Sequence, residues 1–263
     1  MGAELKDKVA WINGASGTIG KAIAAALAGQ GARLVLSSRN QEALTALAKD
    51  LKESTECEVM VLPLDVTNRE QVDAAAGKIN KDFGRIDLLV NSTSLSKFGD
   101  FLQLQDADWE AVFQHKLFAY IRTCRAVIPY MVQQKYGRIV NVSGRSGHQP
   151  TQPLHTAGMS ANAAVNILTK ALANMYGNNN IRANVVAPGP VLSARYDAVV
   201  KVSEQVSQAG SHPTTSTFNT PPVSGKAATP EEIAEVVSFL LSERSSQLTG
   251  VVLQADGGST AAL

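Results

Sequence analysis

Along the chain, short apolar runs alternate with stretches whose apolar residues recur at helical spacing. The runs are KVAWIN (8–13), RLVLSS (33–38), CEVMVLPL (57–64), IDLLVN (86–91), GRIVNVS (137–143), IRANVVA (181–187) and GVVLQA (250–255). Between them, residues 19–29, 40–53, 68–83, 108–134, 156–176 and 229–241 read as helices. Strands that are apolar throughout need cover on both faces, and helices alternating with them supply it. The pattern therefore predicts an α/β fold, a single doubly wound domain over residues 1–263 with a parallel sheet of about seven strands flanked by helices.

Punctuation agrees with those elements. Gly29 and Gly31 bracket the end of the first helix, and Thr229-Pro230-Glu231-Glu232 reads as an N-cap, a first-turn proline and acidic residues at the positive end of a helix dipole. Asp108 is placed to cap the long helix that carries Trp109. Residues 192–226, rich in Ser, Thr, Gly and Pro, break the rhythm; we read them as a substrate lid with one short helix.

Composition narrows the partners. With 24 basic and 23 acidic residues, a net charge of +1 and no block of like charge, nothing favours nucleic acid or an acidic membrane surface, which leaves a small molecule. Cys57 and Cys124 lack metal-ligand spacing, four scattered histidines form no ligand pair, and the N-terminus has no apolar signal core. No metal and a reduced, cytoplasmic setting are expected. The apolar runs fall short of the roughly 20 residues that span a bilayer, so a soluble chain is expected.

Between the first strand and the first helix lies NGASGTIG (13–20), where glycines let the chain turn and aim a helix N-terminus at an anion such as a pyrophosphate. A tight turn without a ligand is the plainer alternative. With this turn, Leu64-Asp65-Val66, Asn91-Ser92-Thr93-Ser94, Pro188-Gly189 and the ending LTGVVLQADGGST, the chain resembles the short-chain dehydrogenases/reductases over essentially its whole length. The resemblance implies a Rossmann-type fold and a nicotinamide cofactor held by Gly14, Ser16, Gly17, Thr18, Ile19, Gly20, Ser38, Arg39, Asp65, Val66, Asn91, Ser92, Pro188, Gly189 and Val191. Thr18 stands where the family has a glycine. The second strand ends Ser37-Ser38-Arg39-Asn40, with no acid for a ribose and with an arginine suited to a 2′-phosphate, which favours NADP(H) over NAD(H). A solvated loop arginine is the bland reading of Arg39. The resemblance also implies a homodimer or homotetramer packed through the 108–134 and 156–176 helices.

Members of that family use a Ser-Tyr-Lys set supported by an Asn. In this chain the four positions fall on Gly144, Gly158, Asn162 and Lys116, so the usual tyrosine chemistry does not carry over. Ser143 and Ser146 remain to orient a substrate oxygen, or serve only as turn residues. Lys116, Arg145, His148, His155, Arg195 and Tyr196 are brought near the expected pocket from separate segments. His155 is the candidate general acid or base, since an imidazole titrates near neutral pH; a histidine bonding the backbone at a helix start is the equal alternative. For Lys116 a solvent-facing helix lysine is the default, with supply of the missing positive charge as the functional reading. Arg145 and Arg195 favour a carboxylate or phosphate on the substrate, or are solvated loop residues.

Three functions follow from these residues. The favoured one is an NADP(H)-dependent oxidoreductase of a carbonyl or alcohol substrate with a non-standard proton-transfer site. The alternatives are a catalytically silent NADP(H)-binding or partner protein on the same fold, and a non-redox lyase, hydratase or isomerase.

Overall fold

Seven parallel strands build the sheet that the alternation predicts: β1 (Val9–Asn13), β2 (Arg33–Ser37), β3 (Val59–Val61), β4 (Leu88–Asn91), β5 (Gly137–Val142), β6 (Ile181–Pro188) and β7 (Val252–Ala255), in the order β3-β2-β1-β4-β5-β6-β7. The computed structural model describes residues 4–150, 155–194, 196, 197, 200 and 222–260. The helices are α1 (Thr18–Gly29), α2 (Gln41–Ser54), α3 (Arg69–Phe83), α4 (Asp106–Phe113), α5 (Ala119–Gln134), α6 (Thr156–Tyr176) and α7 (Pro230–Leu241). Among the described residues no helix is long and apolar enough to cross a membrane.

Side chains along each strand alternate between two cores. Ala10, Ile12, Leu34, Leu36, Leu88 and Val90 meet α1, α2 and α7 through Ile23, Leu27, Leu44 and Val237. Val9, Trp11, Val35 and Leu89 face α3, α5 and α6 through Val72, Ile79, Tyr120, Val127 and Val165. This two-sided burial is why the central strands read as unbroken apolar runs.

Caps fix where the helices start. Asn40 and Asn68 each accept a backbone N–H at 2.9 Å, and Thr229 and Glu232 form a reciprocal capping box. The long helix departs from the pattern in two ways. It begins at Asp106, so Asp108 is not its cap; the Asp108 carboxylate reaches back to the Gln105 N–H at 3.2 Å. Between α4 and α5, residues Gln114–Phe118 form a π-helical turn, a wide turn that shifts the side-chain register. In the expected lid, Ala194, Tyr196, Asp197 and Val200 are helical; Arg195 and residues 201–221 lie outside the described residues.

The strand order reverses between β1 and β4, which opens a crevice at the C-terminal ends of the strands. A buried amide ladder ties those ends together. Asn13 donates to Asn91 at 3.3 Å, Asn91 to Asn141 at 2.9 Å and Asn141 to the Thr169 hydroxyl at 2.9 Å, across strands whose register sets the three asparagines side by side.

Candidate active site

A cavity of about 430 Å³ occupies this crevice. Its floor is the turn before α1 and the loop after β4, and its far wall comes from the end of β5, the start of α6 and the segment after β6.

The glycine turn packs closely against its own neighbours, which fixes where α1 starts. Gly14 has φ +81°, and a Cβ there would press on the Ser92 carbonyl carbon at 2.8 Å; a Cβ on Gly20 would meet Ala15 Cα at 2.9 Å. Unlike α2, α3 and α7, α1 starts without a side chain bonded to its first amides and without an acid in its first turn. Those N–H groups can receive an anion such as a pyrophosphate. Gly17, Thr18, Ile19, Gly20, Ser92, Pro188, Gly189 and Val191 line the cavity. Thr18, the first helical residue, is exposed on that wall.

The remaining nucleotide candidates sit off this wall. Arg39 is exposed at the end of β2, and its charge reaches Asp65. Burial would raise the Asp65 carboxyl's pKa, but the N–H and hydroxyl of Thr67 and the charges of Arg39 and His115 outweigh it and hold the group below the usual range. Val66 is a core residue. Gly14, Ser16 and Ser38 are partly buried in turns beside the strand ends. The side chain of Asn91 is not at the cavity, because it is fully buried in the amide ladder.

Four of the clustered polar residues, Lys116, Arg145, His155 and Tyr196, do meet at the cavity. His148 is exposed and off the wall, and Arg195 lies outside the described residues. Lys116 corrects the default of a solvent-facing lysine: it is buried, because the π-helical turn carries it inward. Its ammonium donates to the Val142 carbonyl at 2.6 Å and lies 3.2 Å from the Tyr120 hydroxyl. Arg145 opens a 3₁₀ turn (Arg145–Gly147) directly after β5 and is buried too. Among the described residues the Ser143 hydroxyl, which borders the cavity, has no hydrogen-bond partner, whereas Ser146 accepts an N–H from Asn162 at 3.4 Å.

His155 and Asn162 fill space left by two glycines. A Cβ on Gly158 would collide with the His155 imidazole, and one on Gly144 would come within 2.9 Å of Asn162 Nδ2. The imidazole stacks on Phe98 with ring centroids 4.8 Å apart and 24° between planes. Phe98 sits in the irregular segment after β4, where nothing in the sequence pattern signals a partner for His155. Chemically, the wall presents an imidazole, a hydroxyl and a guanidinium around one space, enough to hold an oxygen, move a proton and bind an anion.

Comparison with known proteins places this architecture. The family model described as enoyl-(acyl carrier protein) reductase matches residues 14–260. The chain is 34% identical over 254 residues to the 3-oxoacyl-(acyl-carrier-protein) reductase FabG of Thermotoga maritima, covering 97% of this chain and 98% of that protein. It is 32% identical to nodulation protein G of Rhizobium sp. strain N33, over 97% and 98% of the two chains. Among solved structures, L-sorbose reductase from Gluconobacter frateurii, complexed with NADPH and L-sorbose, superposes with a TM-score of 0.89 at 28% identity over 100% of both chains. Levodione reductase superposes with a TM-score of 0.88 at 28% identity, over 98% of this chain and 100% of that one.

Proposed function

The chain belongs to the short-chain dehydrogenase/reductase family, and from that premise we propose that it is an NADP(H)-dependent oxidoreductase in which His155 handles the proton. Its substrate is a carbonyl compound or the matching alcohol. The observation that carries the reading is the buried imidazole against Gly158, at the place where the family resemblance puts the catalytic tyrosine.

A bound nicotinamide supplies or takes the hydride at the substrate carbon. The chain's own groups act at the oxygen. His155 gives the oxygen a proton during reduction or removes it during oxidation, a role suited to a ring whose nitrogens can both donate and accept. The Ser143 hydroxyl, without a partner among the described residues, orients that oxygen by a hydrogen bond. Phe98 and Gly158 hold the imidazole from two sides, so its angle to the cavity is set before substrate arrives. Relatives named as reductases, and a full-length structural neighbour crystallised with NADPH, support the redox class and the cofactor.

The glycine at 158 and the asparagine at 162 also favour a second reading, a relative that binds the nucleotide without turnover. The experiment that separates them follows NADPH oxidation across a panel of aldehydes, ketones and oxo acids, with wild type and His155→Ala side by side. Turnover in wild type that falls by about 10²- to 10⁴-fold in the variant, at unchanged NADPH affinity, is the expected outcome. Full turnover in His155→Ala overturns the assigned role. NADPH binding with no turnover of any substrate leaves the silent relative standing, and substrate conversion at constant nicotinamide absorbance identifies a non-redox enzyme.

A further inference from the structure

Arg145 is 7% exposed and lines the cavity, yet among the described residues its guanidinium makes a single hydrogen bond, from Nη1 to the Ser259 carbonyl at 3.5 Å. A guanidinium carries five N–H donors, so most of its capacity is unused. No carboxylate lies within ion-pair distance among the described residues. The charge that acts on it is Asp256, whose oxygens are taken by the Gly258 and Thr260 N–H groups and the Thr260 hydroxyl. Burial pulls the arginine's pKa down, with Asp256 working only partly against it. The described cavity wall contains no aspartate or glutamate. Lys116, the other buried cation there, is turned onto backbone carbonyls.

A buried, nearly unpartnered cation is costly, and its fork of donors matches the two oxygens of a carboxylate. Arg145 follows Ser143 by two residues at the same strand end, so its backbone lies within roughly 7 Å of the group assigned to the substrate oxygen. We propose that Arg145 anchors a carboxylate on the substrate, which makes the substrate class a small oxo acid or the corresponding hydroxy acid. The inference rests on the oxidoreductase reading for the word substrate, but the anion site itself stands on Arg145 alone. One guanidinium balances the single charge of a carboxylate better than the double charge of a phosphate.

The test is calorimetric titration of the full chain with pyruvate, acetoacetate, their methyl esters and inorganic phosphate, each with and without saturating NADPH. Wild type, Arg145→Gln and Arg145→Lys are compared. The acids bind wild type at least about tenfold more tightly than the esters; Arg145→Gln erases that difference and Arg145→Lys keeps only part of it. NADPH affinity in Arg145→Gln stays within about twofold of wild type, and its melting temperature is not lowered, because an unpaired buried charge has been removed.

Acid and ester binding wild type alike, or acids binding Arg145→Gln as well as wild type, would overturn the proposal. So would an equal loss of NADPH affinity, which would assign the guanidinium to the nucleotide. A lower melting temperature in both variants with acid binding intact would make it a structural strut. Phosphate bound in preference to both acids would replace the carboxylate by a phosphorylated substrate. Failure of NADPH to bind any of the proteins would sink the oxidoreductase reading, while the titrations without NADPH would still decide the anion site.

Discussion

The imidazole of His155 stands in the space that a side chain on residue 158 would need. A Cβ built on Gly158 overlaps Nε2 and Cε1 of the ring and falls 2.7 Å from Cδ2. The two residues are three apart, at the N-cap and the third position of α6, so they share a helix face. Phe98 closes the other side of the ring. The glycine is therefore the condition for the histidine's position, and the pair acts as one unit.

Gly158→Ala accordingly destabilises the protein by about 1–3 kcal/mol, the usual cost of overpacking a well-filled site, and suppresses turnover by displacing the imidazole. With His155→Ala in place, the same change becomes neutral or stabilising, since alanine outranks glycine in a helix by roughly 0.5–1 kcal/mol. Urea unfolding of the four proteins in this cycle measures the coupling. Additive effects would show that the ring does not occupy that space.

The sheet was legible because its physics is local to each segment. A central parallel strand must be apolar on both faces, and an asparagine or threonine ahead of a helical repeat must cap it, as at Asn40, Asn68 and Thr229. The third strand, Val59–Val61, is shorter than its apolar run, although the Leu62 and Leu64 N–H groups still donate to the Leu36 and Ser38 carbonyls at 3.0 and 3.1 Å; Pro63 between them takes the outward position of an edge strand, where no N–H is needed. The site was legible in outline only. Position alone could name His155, Ser143, Arg145 and Lys116, but not which way each faces. The π-helical turn that buries Lys116 breaks the 3.6-residue register from which a solvent-facing lysine is read. Likewise the register that sets Asn91 between Asn13 and Asn141, and so buries its side chain, is a property of the sheet and not of the segment 91–94.

Lys116 and Tyr120 are expected to back each other up. The ammonium and the hydroxyl are both within hydrogen-bond reach of the Val142 carbonyl, at 2.6 and 2.9 Å, and of the Thr93 carbonyl, at 3.4 and 3.0 Å. Lys116→Met alone costs about 1 kcal/mol, because the single hydroxyl proton of the tyrosine still serves one of the two carbonyls. Adding Tyr120→Phe strips the second donor and brings the total to about 2–4 kcal/mol, more than the two single losses combined. Equilibrium unfolding in urea checks this, and strict additivity would refute the shared arrangement.

Acid stability should depend on Asp65. Its pKa in the folded protein is held below the unfolded value, despite burial, by Thr67, Arg39 and His115. A depressed carboxylate adds stability that is fully present above the unfolded pKa, about 3.9, and is lost as pH falls through the lower folded value. Asp65→Asn therefore flattens the acid limb of melting temperature against pH below about pH 4 and leaves its slope near neutrality unchanged. An acid limb identical to wild type would mean that the carboxyl is not depressed.

Arg39 should decide which nucleotide is preferred. It stands exposed at the end of β2, where Asn40 is occupied in capping α2 and no acid is present to bond an adenosine ribose. A guanidinium there gains a charge-assisted contact with the 2′-phosphate of NADPH and little from the 2′-hydroxyl of NADH. Wild type then binds NADPH about 10- to 100-fold more tightly, and Arg39→Ala lowers the ratio towards one chiefly by weakening NADPH. The contact is at the surface, so the preference also shrinks as salt is raised. Calorimetric titration of both nucleotides into both proteins supplies the four constants. Equal weakening of NADH and NADPH in Arg39→Ala would show that the arginine does not read the phosphate, and a wild-type preference for NADH would reverse the cofactor assignment.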